Sequence, residues 1–188
     1  MLVSDTNKNR GTHGDSSFML GGLPSSSENP PALAVGSVNK SVVLSINPEW
    51  CDLIKGGYKT LEIRKNRPRI PTPFKCYIYQ TGEYVSAYDL SPWAGKYKPG
   101  RIVGEFICDA IDSFAIPYPA YFGEVGEDIK DILAKACLPM LRAHDYLGHR
   151  TGYAWHISAL KIYNTPKKLE EFGLEYAPMS WRYAEEIA

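Results

Sequence analysis

The first ordered pattern in the chain is Ser41-Val42-Val43-Leu44-Ser45-Ile46, a β-branched run that predicts a strand. Asn47-Pro48-Glu49-Trp50 follows, with a capping residue, a proline at the first helical position and an acid in the first turn. The strand therefore passes into a helix with Trp50, Leu53 and Ile54 on one stripe. Gly56-Gly57 then supplies the left-handed conformation that ends it after about two turns. From Lys59 to Arg64 the period changes to two: Leu61 and Ile63 share one face, and Thr60, Glu62 and Arg64 share the other, as in a half-buried strand.

Residues 67–73 are basic and proline-punctuated, hence a loop, and Phe74-Lys75-Cys76-Tyr77-Ile78-Tyr79 reads as the next strand. Residues 82–100 form an insertion-like loop around Tyr84, Tyr88, Trp93 and Tyr97. Arg101–Asp109 is a strand with Gly104-Glu105 at a natural bulge point. Ile129, Ile132, Leu133 and Ala136 have helical spacing over 127–137, and a second short helix is expected after Pro139. Tyr153–Tyr163 reads as one long strand, with Ala154, His156, Ser158 and Leu160 opposed to Trp155, Ile157, Ala159 and Lys161. One or two helical turns over 166–172 and a C-terminal helix over 180–187, capped by Ser180, complete the expected elements. The sum is an α+β chain, a small open barrel of five to six strands with peripheral helices.

Residues 1–39, rich in Ser, Gly, Asn and Pro, bury too little to offset their chain entropy and read as a disordered tail before one domain over 40–188. A chain of 188 residues supports one core of ordinary size. Net charge is zero, which argues against binding nucleic acid by bulk electrostatics alone, yet sign is segregated. Between Lys55 and Lys75 seven basic residues face Glu62 as the only acid, and between Glu105 and Asp131 seven acids face Lys130. The bland alternative for such runs is a solvated face. The four cysteines form no metal-type cluster and read as small buried hydrophobes, so neither metal nor organic cofactor is implied. With no stretch of transmembrane length and no signal-peptide pattern after Met1, a cytoplasmic location without membrane association is expected.

The chemistry concentrates in Gly57-Tyr58-Lys59-Thr60-Leu61-Glu62-Ile63-Arg64. The glycine pair delivers Lys59 to the mouth of a strand whose polar face presents Glu62 and Arg64 side by side. Such a trio can hold a phosphate through Arg64 and Lys59 while Glu62 accepts a base amino group or a proton; the alternative is a surface ladder of little energetic consequence. Glu105, a carboxylate after glycine in an apolar strand, needs solvent or a partner. Ser45, Asn47, Tyr79 and Thr81 sit at strand ends where hydroxyl and amide groups can read a base edge. Trp93, Trp155 and Trp181 are stacking candidates or core, His156 reads as a satisfied core histidine, and His144, His149 and Asp145 lack metal-site spacing.

The motif fits GxKxxExR, which marks ASCH domains of the PUA-like superfamily. The chain resembles the longer bacterial and phage members over residues 41–186: in Leu44-Ser45-Ile46-Asn47-Pro48, Tyr77-Ile78-Tyr79, Val103-Gly104-Glu105-Phe106, Tyr153-Ala154-Trp155-His156-Ile157 and Pro178-Met179-Ser180-Trp181-Arg182-Tyr183. The resemblance implies a cleft lined by the motif and by Glu105, with Lys59 between two carboxylates as a clamp or a proton-transfer group. It implies RNA or a modified nucleotide or nucleoside as partner. Small amidohydrolases of the family act on acetylated cytidine with a Lys, a Thr and a Glu; other members have been proposed as ribonucleases. A hydrolase would use Lys59, Glu62 and Glu105, although Glu62 stands where the amidohydrolase has its nucleophilic Thr and Thr60 is one alternative. A third possibility is a protein-interaction module working through the tail and residues 82–100. Ligand, turnover and oligomeric state stay open at this level.

Overall fold

The structure, a computed structural model, describes residues 40–117 and 125–184. The proposed tail over 1–39 and residues 185–187 of the expected C-terminal helix lie outside the described residues.

Strand β1 (Ser41–Ile46) leads into helix α1 (Pro48–Lys55), then β2 (Leu61–Arg64) and β3 (Phe74–Gln80). A short ribbon, β4 (Glu83–Tyr84) with β5 (Tyr97–Lys98), lies within the insertion-like loop. β6 (Arg101–Cys108) and β7 (Ile111–Phe114) precede helices α2 (Glu127–Lys135) and α3 (Met140–Leu147). β8 (Gly152–His156), β9 (Ser158–Lys167), a 3-10 turn (Leu169–Phe172) and β10 (Trp181–Ala184) complete the chain. The sheets have five strands (β10-β1-β3-β6-β9), three (β2-β8-β7) and two (β4-β5), and none closes on itself, so the α+β class holds without barrel closure. Among the described residues no helix is long and apolar enough to cross a membrane.

Alternation along β1 explains the layering. Val42, Leu44 and Ile46 point into a core shared with Cys51 and Ile54 of α1, Phe106 and Trp155, while Val43 joins Tyr77, Ile102 and Phe172 on the opposite side. The five-stranded sheet is thus covered on both faces, consistent with the near-continuous apolar run of β1. β1 and β3 run parallel, with α1 in the connection between them; the other pairs of this sheet are antiparallel. A second core forms where Leu61 and Ile63 of β2 and Ala154 of β8 meet Leu133 of α2 and Leu147 of α3. The expected thiol burial is seen at Cys51, Cys76 and Cys108, and burial pushes the Cys51 thiol up to about 12.

Two sequence expectations are corrected. The single long strand over Tyr153–Tyr163 is broken at Ile157: β8 belongs to the three-stranded sheet and β9 to the five-stranded one. His156 N–H donates to the Ala110 carbonyl and Ile157 N–H to the Thr60 carbonyl, so pairing partners change along the run, and Ala159 adopts φ 46°. The C-terminal helix is replaced, over Trp181–Ala184, by a strand antiparallel to β1. Ser180 caps no helix; its carbonyl accepts the Ser45 N–H at 2.9 Å. The open edge of β1 offers this aromatic segment ladder hydrogen bonds, and tertiary pairing overrides the local helix preference.

Gly104 marks a true irregularity. The β6–β9 register shifts between Ile102 and Gly104, and a Cβ at Gly104 would lie 2.6 Å from the Lys161 carbonyl oxygen. Gly104→Ala is therefore expected to cost about 1–3 kcal/mol of stability, read as a lower urea midpoint at unchanged slope.

Candidate functional site

The helix-ending glycines aim the next segment inward. Gly57 has φ 75°, and the Tyr58 and Lys59 N–H groups both donate to the Leu53 carbonyl, folding the chain back over the end of α1. β2 then runs between β8 and the cleft. Leu61 and Ile63 face the second core, and Glu62 and Arg64 point to the other side, in register with Trp155 and Tyr153 of β8.

Lys59, Glu62 and Arg64 are buried, at 4%, 7% and 7% exposure, which overturns both the half-buried strand and the surface-ladder alternative. The Glu62 carboxylate binds both cations: Oε2 lies 3.2 Å from Lys59 Nζ and Oε1 lies 3.0 Å from an Arg64 terminal nitrogen. Lys59 Nζ also donates to the Ala136 carbonyl at 2.7 Å, at the C-terminal end of α2, where the helix dipole favours a cation. It lies 5.2 Å from the Trp50 ring centroid. Arg64 donates to the Ser45 carbonyl at 2.7 Å and makes longer contacts with Ser180. Its Nε is buried without a hydrogen-bond partner among the described residues.

These three side chains line a cleft of about 710 Å³, within the range of small-molecule sites. Ser45, Asn47, Tyr79 and Thr81 line it as expected. Ser45 Oγ donates to the Pro178 carbonyl at 2.5 Å, and Thr81 donates to the Asn47 side-chain oxygen at 3.3 Å. Asn47 therefore serves the cleft rim and makes no side-chain cap to α1.

Glu105 does not join them. Its carboxylate accepts a hydrogen bond from the Tyr163 hydroxyl and lies 3.9 Å from Lys161 Nζ, both on β9, so Lys59 is not held between Glu62 and Glu105. Burial, reinforced by Glu105, pushes the Tyr163 phenol up. The period-two pattern of β6 could not reveal this, because which face of the sheet borders the cleft depends on distant strands. Thr60 is exposed and its amide pairs with the Lys135 carbonyl; it does not line the cleft. Of the tryptophan candidates, Trp155 is core, Trp181 packs beside it, and Trp93 lies in the exposed loop. His156 is partly exposed and contacts Asp112 at 2.7 Å, correcting its reading as a core residue.

Residues not assigned to the cleft from the sequence complete the walls. Trp50 comes from the apolar stripe of α1, and Arg142, Asp145 and Tyr146 come from α3. Residues 177–180 close the side next to β1, and Tyr97 stands at the rim beside Gly82. Burial pushes the Tyr146 phenol up, so it is a neutral hydroxyl at physiological pH. Packing of α3 near β2 brings in the α3 groups, and the others arrive from α1, the 82–100 loop and residues 177–180; the sequence signal for them was the aromatic density of the chain.

No family model and no curated protein matches the chain. Its fold is that of solved ASCH domains. It is similar to the crystal structure of ASCH from Zymomonas mobilis, at 18% identity and TM-score 0.57, covering 79% of this chain and 90% of that one. A serine-to-alanine mutant of that protein matches at 17% identity and TM-score 0.57, over 79% of this chain and 91% of that one. A tyrosine-to-phenylalanine mutant matches at 18% identity and TM-score 0.54, over 78% and 91%.

Removing the carboxylate between two buried cations leaves both uncompensated. Glu62→Ala is expected to cost about 3–5 kcal/mol in chemical denaturation. Glu105→Ala, which removes a partly exposed hydrogen-bond acceptor, should cost about 1 kcal/mol in the same measurement.

Proposed function

We propose that the chain is a PUA-like binding module for RNA or a modified nucleotide, and that the cleft receives a nucleobase. The observation that carries this reading is the convergence of buried Lys59, Glu62 and Arg64 on one cleft whose walls include Trp50, Tyr79, Tyr97 and Tyr146. A base is a flat apolar body with a hydrogen-bonding edge. Aromatic walls suit its faces, and fixed polar groups suit its edge. The Asn47, Thr81 and Ser45 side chains add polar groups around the same space.

The charges lining the cleft balance: Lys59, Arg64 and Arg142 against Glu49, Glu62 and Asp145. That balance favours the uncharged part of a nucleotide over a cluster of phosphates. It also leaves room for the hydrolase reading, in which the same residues orient a modified base for attack.

Calorimetric titration with a panel of unmodified and acetylated nucleosides tests the proposal. Arg64→Lys keeps the charge but loses the fork geometry, and is expected to weaken binding about tenfold with thermal unfolding still cooperative. Asn47→Ala, at the exposed rim, should weaken binding by a smaller factor. An absence of nucleoside binding by the wild-type protein would overturn the reading, and product formation during the titration would replace it with the hydrolase.

A further inference from the structure

The segment that leaves the cleft floor carries a second surface. Immediately after Arg64, residues 65–71 line a separate open hollow of about 570 Å³ together with Tyr153. Lys65, Arg67 and Arg69 are exposed on it, and no acidic residue lines it. Among the described residues no carboxylate pairs with these three cations. Arg67 lies 5.8 Å from the Tyr153 ring centroid, and Lys65 Nζ lies 4.7 Å from that of Tyr146.

The hollow is tied to the cleft at two points. Tyr146, beneath Lys65, lines the cleft. Asn66 accepts a 2.8 Å hydrogen bond from the Trp181 indole, next to Ser180 on the cleft wall. On its far side the Arg69 N–H donates to the Tyr183 hydroxyl at 2.8 Å, and Lys40 Nζ lies 5.8 Å from the same ring, adding a fourth cation nearby. Positive charge is thus concentrated beside a charge-balanced cleft. Fully extended, the run from Arg64 to Arg69 spans at most about 17 Å, which limits this surface to a few consecutive phosphates.

We infer that loop 65–71 carries the phosphodiester backbone of a single-stranded polynucleotide while one unstacked base of that strand occupies the cleft. This rests on the nucleobase reading of the cleft and extends it from a free nucleoside to a strand. Cations with no carboxylate partner among the described residues, interleaved with tyrosines, suit such a backbone, because phosphates need charge and flanking bases need flat surfaces. A duplex is disfavoured, since its bases cannot reach a buried floor without leaving the stack.

The test uses the full chain and a labelled 12-nucleotide mixed-sequence single strand, as RNA and as DNA, with the corresponding duplex as control. Fluorescence anisotropy is measured from 50 to 300 mM KCl. The double variant Arg67→Ala/Arg69→Ala is expected to reduce the slope of log affinity against log salt by about 1.4 units, two single-strand phosphate contacts at roughly 0.7 each. Its nucleoside affinity in the cleft should equal that of the wild type. A slope reduction with RNA and DNA alike assigns the shared phosphodiester chemistry; one confined to RNA adds recognition of the sugar. An unchanged slope beside intact nucleoside binding overturns the loop assignment alone, whereas absent nucleoside binding removes the cleft reading and this inference with it. Tighter binding of the duplex than of either single strand also overturns the inference.

Discussion

The carboxylate of Glu62, held between Lys59 and Arg64, is the contact around which the site is organised. Three charges on one short segment are buried together, and each would be strongly unfavourable there alone. Their compensation is local to the cleft and extends to the backbone: Lys59 reaches the end of α2, and Arg64 reaches the carbonyl of Ser45 and the Ser180 segment. A single ion triplet therefore ties β1, β2, α2 and the approach to β10. The cleft is the space left where these parts meet.

That arrangement gives the fold a division of labour. Leu61 and Ile63 anchor β2 to the helices through the second core, so the charged face is presented by a strand that is packed from behind. A group positioned this way loses little further freedom when it meets a ligand. The neighbouring loop 65–71 has the opposite character, with exposed cations and little packing apart from Pro68 and Ile70. Preorganised polar groups and an exposed cationic surface follow one another directly along the chain.

The likeness to the Zymomonas mobilis structures is one of fold. This chain's own cleft groups differ from what the family resemblance implies. Glu105 answers to Tyr163 and Lys161, so one carboxylate stands with Lys59 where two were expected. A hydrolase mechanism needing the second acid would have to draw it from Glu49 or Asp145 at the cleft lining.

What was legible in the sequence was local: the period-two pattern of β2, the strand-to-helix passage at Asn47-Pro48, the glycine stop and the bulge at Gly104 each arise from residues a few positions apart. The same locality made Lys59, Glu62 and Arg64 recognisable as a group, because spacing along a strand fixes which side chains share a face. Whether that face meets water or protein is a separate question, answered by α2, α3 and the 177–180 segment, none adjacent to it in sequence. The edge of β1 turned residues 181–184 from an expected helix into a strand, and a change of sheet broke the run at Ile157. Burial, the partner of Glu105 and the walls of the cleft depend on contacts between distant segments, and only the tertiary structure brings those segments together.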